Sequence, residues 1–214
     1  MRIIALNCSP RRGWNTAQML ESALKGAADN GAETQMYHLY SMDFRGCSSC
    51  FECLRLGGPS HGRCALKDDL KPVLDDVLSC DGFFVGSPVY FSNVTACCRA
   101  FLERLWFGGL RYSKENRTLY ERRVPSRYIL TTNAPQEGFH KALNEGLIRT
   151  MTSFLGPTDI IEANNTWQFD DYSKYDADMF DVEDRRRQRE EVFPKDLEKA
   201  YSAGAALAEG EQKG

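Results

Sequence analysis

Segments of strand character alternate with segments of helical period along this chain. Ile3-Ile4-Ala5-Leu6 is a continuous apolar run, and after it Met19, Leu20, Ala23, Leu24 and Ala27 fall on one helical face that Asn30-Gly31 stops. Glu33 to Tyr40 is rich in strand formers but mixes polar and apolar side chains on both faces, which suits an outer strand. From Phe44 to Leu66 no period holds. Asp68-Asp69 then opens a helix striped by Leu70, Val73, Leu74, Val77 and Leu78, ending at Cys80. Gly82-Phe83-Phe84-Val85 reads as a strand covered on both faces, and Gly86-Ser87-Pro88-Val89-Tyr90-Phe91 as the loop that leaves it.

Ser92 or Asn93 is the expected cap of a third helix with stripe Val94, Cys97, Cys98, Phe101, Leu102 and Leu105, stopped by Gly108-Gly109. Leu110 to Pro125 is polar and basic and reads as a solvated loop. A fourth strand spans Arg127 to Thr132, followed by the loop Asn133 to Gly138. A helix through Phe139, Leu143, Leu147, Met151 and Phe154 follows, and Thr158 to Ala163 is a fifth strand. Arg185-Arg186-Arg187 and Arg189, flanked by Glu183, Asp184, Glu190 and Glu191, read as a salt-bridged helix face.

Strands alternating with helices predict an α/β fold: a doubly wound, five-stranded parallel sheet of order 2-1-3-4-5 with right-handed crossovers. In that order the ligand-binding switch point lies between strands one and three, at their carboxyl ends. The loops Ser9 to Thr16 and Gly86 to Phe91 both fall there.

Composition adds bounds. The 214 residues fit one domain, 1–214, with a cysteine loop over 44–66 and a C-terminal extension with a helix over 164–214. A net charge of -3 gives no electrostatic reason to expect a nucleic-acid partner or an acidic membrane. No apolar run has the length of a signal-peptide core or a membrane span, so a cytoplasmic location is expected. In a reducing compartment the eight cysteines are expected to be packing residues, metal ligands or reactive thiols rather than a disulfide framework.

Ser9-Pro10-Arg11-Arg12-Gly13-Trp14-Asn15-Thr16 packs hydroxyl, amide, guanidinium and glycine into one turn between a strand and a helix. Backbone N–H groups and the positive helix end then converge on a spot that suits a phosphate. Taken alone the segment is also an ordinary capped loop. Together with Gly86-Ser87-Pro88-Val89-Tyr90-Phe91 it resembles the NADPH-dependent FMN reductase family, and Cys47-x2-Cys50-x2-Cys53 with Cys64 brings it closer to the iron–sulfur flavoprotein branch. The resemblance implies a flavodoxin-like fold, bound FMN, NAD(P)H as reductant, and a homodimer or homotetramer. By position it implies phosphate binding by Ser9, Arg11, Asn15 and Thr16. It implies ring binding by Pro88, Val89, Tyr90 and Phe91, with Asn133 and Ala134 in the loop after strand four facing the flavin. Cys8 and the bulky Trp14 depart from the family pattern.

Cys47, Cys50, Cys53 and Cys64 are the candidate metal ligands. Four thiolates are the shell of a [4Fe–4S] cluster, yet ten residues separate Cys53 from Cys64, longer than a ferredoxin run. The reading leaves open a cluster or a bare or partly oxidised thiol loop, with zinc disfavoured by the spacing. The loop is expected on the cofactor edge. Cys97, Cys98 and Cys80 read as buried packing residues, and Cys8 as a core thiol. The expected function is reduction of flavin, quinone or another small acceptor by NAD(P)H through FMN, with no catalytic side chain required. One alternative is an electron carrier fed by a ferredoxin-type protein through the cluster, and a second is a scaffold without turnover. The aromatic segment Trp167, Phe169, Tyr172, Tyr175 and Phe180 reads either as intrachain packing or as a cover for a neighbouring subunit's flavin.

Overall fold

A computed structural model describes residues 1–210. Strands β1 (Arg2–Asn7), β2 (Glu33–His38), β3 (Gly82–Tyr90), β5 (Ser126–Thr131) and β6 (Thr158–Ala163) form a parallel sheet of order β2-β1-β3-β5-β6. A two-residue strand β4 (Asn93–Val94) pairs antiparallel with the end of β3 and lies off that path. Without β4 the order is the expected 2-1-3-4-5.

Helices α1 (Asn15–Asp29) and α6 (Phe193–Ala208) cover one face of the sheet, over Ile3, Ala5, Phe84 and Ile129. Helices α2 (Leu70–Ser79), α3 (Ala96–Gly109) and α4 (Lys141–Phe154) cover the other, over Ile4, Leu6, Phe83, Val85 and Tyr128. A short helix α5 (Val182–Arg187) leads through one wide turn, Gln188–Val192, into α6. The α1–α6 contact depends on two glycines. A Cβ on Gly204 would collide with the backbone oxygen of Ala23, and one on Gly26 with that of Tyr201.

Several expectations are corrected. The segment after Val85 is not a loop: Gly86, Ser87 and Pro88 pair with Ile129, Leu130 and Thr131 of β5, and Val89 and Tyr90 pair back with β4. The reversal is a two-residue turn in which Phe91 and Ser92 both take left-handed backbone, at φ 50° and 60°. That is the hairpin geometry that matches strand twist, and it leaves no room for a helix start. The cap of α3 is therefore Thr95, whose hydroxyl accepts from the Cys98 N–H, and Val94 belongs to β4. Phe139 precedes α4 and is exposed, because α4 begins only at Lys141.

The arginine run is also only half a salt-bridged face. Arg186 and Arg187 pair with Glu183 and Asp184, but Arg185 and Arg189 turn inward. Cys8, Cys80 and Cys98 are buried, as expected, and Cys97 is half-buried. Burial pushes the Cys80 and Cys97 thiols up to about 12.

Candidate functional site

The carboxyl ends of β1, β3 and β5 open into one cavity of about 160 Å³. At the end of β1 the buried Asn7 side chain accepts the Ser9 N–H at 2.9 Å, and the Ser9 hydroxyl accepts the Arg11 N–H at 3.2 Å. These two bonds turn the chain away from the sheet before α1 begins. Trp14 stands at the helix start with extended backbone and no capping side chain, and the first turn carries no acidic residue. The positive end of α1 is thus uncompensated from within the helix.

Arg11 sits beside that end. Its guanidinium lies 3.1 Å from the centroid of the Trp14 ring and donates to the Gln168 carbonyl at 2.5 Å. Burial lowers its pKa while leaving it cationic. Trp14, the residue out of place in the sequence motif, is the platform that holds this guanidinium. The Thr16 hydroxyl meets the Thr131 hydroxyl at 2.8 Å. One bond between two hydroxyls uses one proton, so the other proton remains to be donated. Asn15 donates from Nδ2 to the Trp167 carbonyl at 2.8 Å and accepts from Arg189 at 3.1 Å.

Of the expected site residues, Ser9, Arg11, Asn15, Thr16, Pro88, Val89, Tyr90 and Asn133 line this cavity. Phe91 and Ala134 do not. Phe91 is fully exposed at the hairpin tip, since its left-handed turn aims it outward, and Ala134 is buried. Thr131, Thr132, Thr166 and Gln168 also line the cavity and went unseen in the sequence, and Trp167, singled out there only as part of the aromatic segment, lines it too. The Thr-Thr pair directly before Asn133 was the one local signal for part of them. Within the chain the aromatic segment packs on itself and reaches the site through Trp167: Trp167 meets Tyr172 edge-on at 4.9 Å, and Phe169 stacks on Tyr175 at 4.2 Å.

The residues present fit an FMN: an uncompensated helix end, a spare hydroxyl proton and the Arg11 guanidinium, which among the described residues has no carboxylate at salt-bridge distance and only Asp170 acting on it from farther off, line one cavity with strand backbone, Tyr90 and Trp167. The four cysteines Cys47, Cys50, Cys53 and Cys64 line a separate small pocket with Phe51, Leu66, Arg104 and Phe107. Arg104, almost fully buried, donates from Nε to Cys64 Sγ at 3.2 Å and pairs with Asp68. Among the described residues no three such ligands already stand at metal-holding spacing. The donor set matches a cluster in kind, and the thiols share one pocket without closing on a single point.

That pocket departs from the expectation of a place on the cofactor edge. Thr95, at the start of α3, binds the Cys8 carbonyl at the switch point, whereas the Cys53 thiol meets the Phe107 carbonyl near the helix end. Twelve residues of helix put the two about 18 Å apart. The two cavities share no lining residue. The loop is carried away because Arg104 and Asp68 anchor it along α3 through Cys64 and the carbonyls of Arg45 and Leu66.

An iron–sulfur flavoprotein of Methanocaldococcus jannaschii is 32% identical over 104 residues, 49% of this chain and 51% of that protein. One from Archaeoglobus fulgidus is 32% identical over 105 residues, 49% of this chain and 46% of that protein. The chain spans about half the length of these curated relatives in the matched region. The structure of an NAD(P)H:quinone oxidoreductase from Methanothermobacter marburgensis superposes with a TM-score of 0.69 at 16% identity, over 100% of this chain and 99% of that one. An FMN-dependent NADH-azoreductase from Bacillus anthracis, in complex with FMN, gives 0.62 at 12% identity over 97% and 100%. At those identities the likeness is one of fold. The sequence model of the NADPH-dependent FMN reductase family matches residues 1–124, more than half of the chain, and the chain belongs to that family.

Proposed function

We propose that the chain binds FMN in the cavity at the switch point and reduces a small acceptor, such as a flavin or quinone, with electrons from NAD(P)H. The single observation that carries this is the convergence of eight motif residues, from three separate strand ends, on one cavity that also holds the start of α1 and the Arg11 guanidinium. Ser9, Arg11, Asn15, Thr16 and the first-turn N–H groups of α1 would hold the phosphate. Pro88, Val89, Tyr90 and Asn133 would orient the ring, and Trp167 would shield it from water. The chemistry a bound FMN supplies is acceptance of hydride from a reduced nicotinamide and its delivery to a second substrate. The side chains bind and orient, and none needs to move a proton.

Purified protein is expected to carry, or take up, a flavin spectrum and then to oxidise NADH or NADPH in the presence of a quinone. Failure to take up FMN overturns the reading.

A second reading rests on the cysteine pocket. Cys47, Cys50, Cys53 and Cys64 are proposed to hold an iron–sulfur centre, for which four thiols on one largely apolar pocket are a suitable donor set. In this role the electron donor is a redox protein of ferredoxin type. Iron and labile sulfide in anaerobically purified protein, lost in Cys53→Ala, support it. Their absence after reconstitution with iron and sulfide overturns it.

A further inference from the structure

Four arginines in five residues, Arg185, Arg186, Arg187 and Arg189, divide between two faces. Arg186 and Arg187 reach solvent and pair with Glu183 and Asp184. Arg185 and Arg189 turn inward, and among the described residues neither stands within salt-bridge distance of a carboxylate. The wide turn Gln188–Val192 falls between α5 and α6 and carries Arg189. Such turns shift the register of a helix by part of a turn and recur at functional sites.

Arg189 bridges the first turn of α1. One nitrogen donates to Asn15 Oδ1 at 3.1 Å and the other to Gln18 Oε1 at 2.7 Å, and its guanidinium lies 4.4 Å from the centroid of the Phe193 ring. Because Asn15 Oδ1 is taken from outside, its amide nitrogen must face the other way, toward the cavity wall and Trp167. The guanidinium is partly desolvated, which lowers its pKa, and a cation kept from water without a counter-charge is costly. An anion on the far side of Asn15 relieves that cost.

We infer that Arg189 is a specificity-determining positioning residue for the phosphate end of the cavity: it fixes the Asn15 amide and adds a full positive charge to the α1 terminus. The site thereby separates a phosphorylated flavin from the same ring system without phosphate. This rests on the FMN reading above. Arg185 provides the internal comparison. It donates to Asn133 Oδ1 at 3.3 Å and the Thr166 carbonyl at 3.2 Å, both on the cavity wall, and makes no hydrogen bond to the first turn of α1.

The test titrates the flavin-free full chain with FMN and with riboflavin, following flavin fluorescence. Arg189→Gln is expected to weaken FMN by about tenfold and to change riboflavin by less than about twofold. Arg189→Lys, which keeps the charge but not the fork, should recover most of the FMN affinity, and Arg185→Gln should weaken both flavins alike. Equal losses for the two flavins in Arg189→Gln, or no loss for either, overturn the inference. If Arg189→Gln does not fold, Arg189→Lys decides, since a loss of FMN and riboflavin affinity in equal measure overturns it as well. Unsubstituted protein that binds FMN and riboflavin equally tightly refutes the phosphate reading itself, and unsubstituted protein that binds neither refutes the flavin reading. Arg189 falls with each.

Discussion

Thr16 and Thr131 lie 115 residues apart in sequence, and their hydroxyl oxygens are 2.8 Å apart. This bond ties the first turn of α1 to the end of β5, and both residues are buried. Thr16→Val or Thr131→Val leaves the opposite hydroxyl buried without its partner, at a cost of about 1–3 kcal/mol. The double valine variant should lose less than the sum of the two, because neither hydroxyl is then stranded. A urea-denaturation cycle measures the coupling, and strict additivity would show that the bond contributes nothing.

At Gly86, β3 passes close against α1. A Cβ there would stand 2.6 Å from Leu20 Cδ1 and 2.9 Å from Thr16 Cγ2. Gly86→Ala is expected to push the start of α1 outward, costing about 1–3 kcal/mol and weakening FMN as well. Gly146→Ala, inside α4 with nothing within 4 Å of the added carbon, should instead stabilise by about 1 kcal/mol. Thermal melts of the pair distinguish packing from helix propensity.

Asp76 links the sheet to α2, accepting from the Arg2 guanidinium at 2.8 Å and from the Tyr37 hydroxyl. The Arg2 guanidinium, more than any other neighbour, holds its carboxyl below the usual range. A carboxyl depressed in the folded state contributes stability that is full above its unfolded value and is lost as pH falls through the folded one. Asp76→Asn should cost about 1 kcal/mol at neutral pH, since the pair is about a third exposed. The difference from the unsubstituted protein should vanish on acidification below the folded pKa. A difference that persists unchanged in acid would assign the effect to packing.

The thiols divide by exposure. Cys50 is exposed and Cys47 half-buried, whereas Cys80 and Cys97 have thiols that burial pushes up to about 12. Brief iodoacetamide treatment at pH 8 should label Cys50 and Cys47 and leave Cys8, Cys80 and Cys98 unmodified until denaturant is added. After anaerobic reconstitution with iron and sulfide the loop cysteines should become protected. Mass spectrometry of the peptides reads both patterns, and unchanged labelling after reconstitution would show that the loop holds no metal.

Local pattern and short motifs determined much of this protein. Apolar stripes in α1, α2 and α3, strand runs at Ile3 and Phe83, and the Ser9 to Thr16 turn follow from side-chain period and turn chemistry, which act within about ten residues. Those signals were enough for the sheet order and for most of one cavity wall. Tertiary structure alone decided the rest. Gly86 to Tyr90 became strand because β5 and β4 offered partners for its backbone, while the Phe91–Ser92 reversal left Phe91 in solvent. Trp167 and Gln168 reached the site because Asn165 and Thr166 bond back to Ala134 and Thr132 after β6, Arg189 met the start of α1 beside the α6–α1 contact that two glycines permit, and the cysteine loop left the site because Arg104 holds Cys64 against α3. Such placements depend on contacts between residues far apart in the chain, and the spacing of neighbouring side chains carries no record of them.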